Sequence, residues 1–140
     1  MKTISQWTEL VSDDSDKGFR AAWLLARNAM TNGNYTRARN IVMCQPRLAN
    51  HTLGREIVAR LTFLEGDEEG AVQLFSALEN ESIEAQMFLA RRAFKHRQWA
   101  EARRLNRLLL DQFPDWTTVR RQILELEQMA SNPGVGDGKK

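Results

Sequence analysis

The sequence predicts an all-α protein assembled from repeated helical hairpins, and three observations lead there. Apolar residues recur three and four apart over long stretches, and no alternating segment reaches a convincing strand length. Proline stands only at 46, 114 and 133, so most of the chain is free of helix breakers. The helical pattern is interrupted at Thr31-Asn32-Gly33-Asn34-Tyr35 and at Glu65-Gly66-Asp67-Glu68, thirty-three residues apart. A third interruption, Lys95-His96-Arg97-Gln98-Trp99, follows at about the same interval, with Trp99 where Tyr35 stood. A fixed period of this length is the mark of stacked repeats, in which one hairpin cannot bury its apolar face without a neighbour.

Taken in order, Ile4, Trp7, Leu10 and Val11 predict a short amphipathic N-terminal helix, and Ser12 to Asp16 form a polar joint rich in helix-capping residues. Three hairpins follow, at 19–51, 52–82 and 83–116. In each, a small residue of the first helix (Ala26, Ala59, Ala90) is expected to face one of the second (Ala38, Ala71, Ala102), letting the two backbones approach closely. Gly33 and Gly66 are placed just past the first helix, in the left-handed conformation that glycine adopts without strain. Trp116, Val119, Ile123, Leu126 and Ala130 then predict a capping helix over 116–130, and residues 132–140, with three glycines and a proline, a disordered tail. One domain over 1–131 is expected, large enough for a core without metal or disulfide.

The hairpins resemble the tetratricopeptide repeat. Residues 83–116 carry Leu89-Ala90 at the family's Leu-Gly pair, Trp99 at its second tyrosine, Ala102 at its small residue and Pro114 at its terminal proline. Asn106 departs from the family's aromatic and Leu109 from its alanine. Residues 52–82 carry Val58-Ala59, Gly66-Asp67, Ala71 and Phe75; residues 19–51 carry Leu25-Ala26, Gly33, Tyr35 and Ala38, with Val42 at the aromatic position and Pro46 early. The resemblance spans about two thirds of the chain. It implies a right-handed superhelical stack whose first helices line a peptide-binding groove. Transferred position by position, the groove receives Trp23, Leu24, Arg27 and Met30 from the first repeat, Glu56, Ile57, Arg60 and Phe63 from the second, and Met87, Phe88, Arg91 and Phe94 from the third. Arg27, Arg60 and Arg91 share one repeat position and form a row suited to carboxylates. The resemblance thus implies a protein-binding module, a chaperone or assembly adaptor, whose partner is an apolar or amphipathic segment bearing acidic residues. In size the chain is similar to small bacterial secretion-system chaperones.

Charge narrows other classes. Twenty basic and eighteen acidic side chains leave +2, not the excess of a nucleic-acid binder. The arginines between Arg91 and Arg107 with Phe94 and Trp99 could be drawn as a nucleic-acid patch, but the repeat register distributes them over a turn and a solvated helix. Residues 19–51 carry five arginines and no acid, 52–82 two bases and seven acids, and 83–116 seven bases and four acids. Such alternating blocks leave a self-assembling homo-oligomer as the alternative reading. His51 and His96 have no partner at metal-ligand spacing, Cys44 has no neighbouring base, and no phosphate-cradling glycine loop is present. No enzyme activity, metal or cofactor is expected. With a single cysteine, no secretory-type apolar stretch and no run long enough to span a bilayer, a cytoplasmic protein without membrane insertion is expected.

Overall fold

The computed structural model describes residues 15–131, with side chains through Gln128. The helix expected around Trp7 and the tail expected over 132–140 lie outside the described residues. Within them the protein is all-helical, without strands, as expected. The helices are α1 (Asp16–Thr31), α2 (Tyr35–Met43), α3 (Pro46–Ala49), α4 (Thr52–Leu64), α5 (Glu68–Ala77), α6 (Ile83–Lys95), α7 (Trp99–Gln112) and α8 (Thr117–Ser131). The chain divides into two compact units, one ending at Leu78 and one beginning at Glu79.

Local chemistry sets the helix ends. Ser15, Asn34, Asp67 and Ser82 each place a side-chain oxygen on a backbone N–H of the first turn that follows, at Gly18, Arg37, Gly70 and Ala85. The three hairpin turns have identical bonding. Gly33 N–H donates to the Met30 carbonyl and Asn34 N–H to that of Ala29; Gly66 and Asp67 do the same to Phe63 and Thr62, and Arg97 and Gln98 to Phe94 and Ala93. This pair of bonds closes a helix only if the residue between adopts positive φ, and Gly33, Gly66 and Arg97 have φ of 82°, 99° and 61°. Two glycines meet that demand without strain; an arginine meets it in the third turn at a steric cost.

In the first unit α1 packs on α2 and α4 on α5. The core gathers Ala22, Ala26, Ala29, Ala38, Val42, Leu48, Ile57 and Leu61. Pro46 follows the second helix and opens the one-turn α3, whose first position proline suits. Its Leu48 is fully buried, and its carbonyl lies so close to Gly54 of α4 that a Cβ there would sit 1.9 Å from the oxygen. Gly54 is therefore required by close backbone approach.

In the second unit α6 packs on α7 and α7 on α8. Ala93, Ala102 and Leu126 form one cluster with Trp99 against it, and Leu109, Val119 and Ile123 another with Ile83, Met87, Leu110 and Trp116. α7 stops at Gln112, because the residue preceding Pro114 is pushed out of the helical region. Phe113 and Trp116 meet edge to face at 5.7 Å across that break. The six alanines at 26, 38, 59, 71, 90 and 102 are all buried.

Candidate functional site

The residues transferred to the groove meet different fates. Ile57 lies in the core of the first unit and Phe88 is buried, so neither presents a side chain to a ligand, and both are withdrawn as anchors. Their helical faces pack inward, and burial of each outweighs any surface role. Trp23 and Met30 are half-buried against the same core, Glu56 is half-buried, and Leu24 and Phe63 are exposed.

The arginine row divides. The Arg27 guanidinium lies 5.1 Å from the ring centre of Trp23, and that of Arg60 lies 5.5 Å from the ring centre of Phe75. Each shields an aromatic face through a cation–π contact while its stem covers apolar surface. Arg91, at the same repeat position, stands over no ring and has no ion pair among the described residues. The two rings have different origins: Trp23 precedes Arg27 by four residues on α1, where Met87 precedes Arg91 on α6, and the ring under Arg60 comes from the second helix. Phe75 follows Ala71 by four residues and supplies the ring under Arg60; four residues after Ala102 stands Asn106.

A cleft of 330 Å³ lies in the second unit. One wall is α6, with Met87, Arg91, Phe94 and Lys95. The floor is α7, with Asn106 and Leu109, and the opposite wall is α8 with the Trp116 that precedes it. Val119 continues the apolar lining there, and Gln122 and Glu125 add polar groups. Phe94 is held at the rim by an edge-to-face contact with Trp99, ring centres 5.3 Å apart. Arg91, Lys95 and Glu125 form no ion pair among the described residues, so both signs of charge stand unneutralised around apolar ground. Elsewhere in this unit, Arg104 and Arg107 are paired. Arg104 binds Glu79 at 2.8 Å and Glu101 at 2.7 Å, and Arg107 binds Glu127. The hydrogen bond from Arg104 holds the Glu101 carboxyl below its usual range, against the opposing effect of partial burial.

Two buried amides of the unit differ in a way that bears on the site. Gln86 is satisfied at both ends: Nε2 donates to the Glu79 carbonyl at 2.7 Å, and Oε1 accepts from Gln112 Nε2 at 2.8 Å. Asn106 donates Nδ2 to the Ala102 carbonyl at 2.8 Å, but its Oδ1 accepts nothing from the described residues. Among the described residues no buried side-chain polar atom is sealed off without a partner, so this oxygen reaches the cleft it lines. Residue 106 is only 3% exposed, which places a polar acceptor at the bottom of an apolar cleft.

Of the residues transferred to the groove, Met87, Arg91 and Phe94 line one cleft of one unit. Asn106, Trp116, Val119, Gln122 and Glu125 were not assigned to the site. The signal for Asn106 was present as a departure from the repeat's aromatic position. The α8 residues carried none, because the heptad-like pattern of a capping helix shows which face is buried and not where a gap is left.

No protein-family model, curated protein or solved structure matches the chain. Among the described residues no helix is long and apolar enough to cross a membrane, and no group of three or more His, Cys, Asp or Glu could hold a metal ion.

Proposed function

We propose that this protein is a non-catalytic binding module of the tetratricopeptide type, which holds a segment of another protein as a cytoplasmic chaperone or assembly adaptor. The hairpins α1–α2, α4–α5 and α6–α7 are its repeats and α8 its cap. Support comes from the common hydrogen-bonded turn at Gly33, Gly66 and Arg97 and from the buried alanine pairs of all three hairpins.

One observation carries the binding function: an apolar cleft of 330 Å³ rimmed by the unneutralised cations Arg91 and Lys95. Apolar ground of this kind loses free energy while it faces water, and unpaired guanidinium and ammonium groups beside it favour a partner that brings both apolar surface and carboxylates. The test is capture from a cell lysate on the full chain and on Phe94→Ala/Arg91→Glu, with bound chains identified by mass spectrometry. A chain retained by the first and lost from the second is the expected result; identical recovery on both would sink the reading.

A further inference from the structure

We infer that the cleft between α6, α7 and α8 takes its partner as an extended strand of peptide, with one backbone N–H bonded to Asn106 Oδ1 and an acidic side chain turned toward Arg91 and Lys95. This rests on the protein-binding reading above and specifies the ligand of the same site.

The argument starts at the floor. Asn106 Oδ1 has no partner among the described residues and opens into the cleft, so a donor brought by a ligand can meet it there. The residue is also a departure from the repeat: Phe75 stands at the equivalent position of hairpin α4–α5 and lies under Arg60, whereas Asn106 lines the cleft together with Arg91. The donor that every peptide offers, whatever its sequence, is the backbone N–H. In an α-helix those groups are consumed by carbonyls four residues earlier, except in the first turn. A helix laid along the cleft would therefore leave Oδ1 unmet, while an extended chain has free N–H groups at every second residue on one side. Side-chain cations, the other strong donors, are disfavoured by Arg91 and Lys95 at the same rim.

The walls set the side chains. Met87, Leu109, Trp116 and Val119 offer apolar contact to one bulky residue of the strand. Arg91 and Lys95 lie on the α6 wall and Glu125 on the α8 wall, so the strand's carboxylate faces α6, and a cation flanking it on the other side is accepted next to Glu125. The charge arrangement thereby selects chain direction as well as composition.

The experiment is selection from a display library of random dodecapeptides on the immobilised full-length chain and on Arg91→Glu/Lys95→Glu. The native chain is expected to enrich peptides with an acidic residue close to a bulky apolar one, and the charge-reversed variant to enrich basic ones. The best native peptide is then resynthesised with single backbone amides N-methylated in turn. Loss of one N–H beside the apolar residue should weaken binding about tenfold on the native chain and less than about twofold on Asn106→Leu. The N-methyl series on the native chain stands alone should Asn106→Leu fail to fold. If no peptide is enriched, or the same peptides are enriched on both chains, the protein-binding reading of this cleft falls. If charge-sensitive peptides emerge that tolerate every N-methylation or bind as helices, that reading stands and the extended-strand inference is overturned.

Discussion

Hairpins α4–α5 and α6–α7 share a register and differ in what occupies the space between their helices. In the first, Phe75 is fully buried and its ring carries Arg60. In the second, Asn106 occupies the matching position, the ring is absent, and Arg91 faces a cleft. The turns differ as well. Gly66 takes φ of 99° and Asp67 caps α5, whereas Arg97 takes φ of 61° and Gln98 gives α7 no side-chain cap. The turn bonds and the buried alanine pair of α4–α5 are kept in α6–α7, but its buried aromatic, turn glycine and second-helix cap are missing there. The hairpin that gives up this core volume and turn chemistry is the one lining the cleft.

The comparison can be broken most directly through the core positions. Phe75→Ala should cost about 4 kcal/mol of stability in denaturant unfolding, from lost burial and the cavity left behind. Asn106→Leu should change stability by less than about 1 kcal/mol, because it removes one hydrogen bond while adding apolar contact. Equal losses at the two sites would mean that Asn106 is a structural residue and not a gap. A change in the first unit gives the scale: Gly54→Ala should cost about 3 kcal/mol, since its Cβ would meet the Leu48 carbonyl and α3 would have to move away from α4.

The turns offer a smaller contrast of opposite sign. Gly66→Ala should lower stability by about 1 kcal/mol, although open space surrounds the position, because only φ opposes the new side chain. Arg97→Gly should raise it by up to about 1 kcal/mol for the same reason. Thermal unfolding of both variants reads the two signs, and a loss in Arg97→Gly would show that the arginine side chain contributes more than its backbone costs.

Smallest is the ion network of α6–α7. Arg104→Ala should cost about 0.5 kcal/mol at neutral pH, since both of its carboxylate partners are partly solvated. Glu101 is held below its ordinary range, so its contribution is complete above the unfolded value and is lost as pH falls through the folded one. Native and Arg104→Ala chains should therefore converge in stability in the acid range, and a difference that persists there would place the effect in packing.

Much of the fold was legible in the residues themselves. Helix-favouring periodicity, the glycines at 33 and 66 and the alanine pairs follow from short-range geometry, which depends on neighbours within a turn or two. The third turn was placed by the period and by Trp99 standing where Tyr35 does, since an arginine in the left-handed region has no compositional signature. The candidate site was legible only in part. Repeat register put Met87, Arg91 and Phe94 on one line, but it also named Ile57 and Phe88, which the structure buries, because a register assigns positions on a helix and cannot count how many neighbours press on them.

The chain's order of residues thus settles which segments coil, where they turn and which faces are apolar, all of it through interactions a few residues long. Arg60 lies over a ring contributed by a second helix, whereas Arg27 finds its ring, Trp23, on its own helix. Whether an apolar space closes or stays open depends on volumes summed over three helices. Asn106 belongs to both accounts: its identity is plain in the sequence, and its unmet oxygen at the floor of a cleft exists only once α6, α7 and α8 have packed around it.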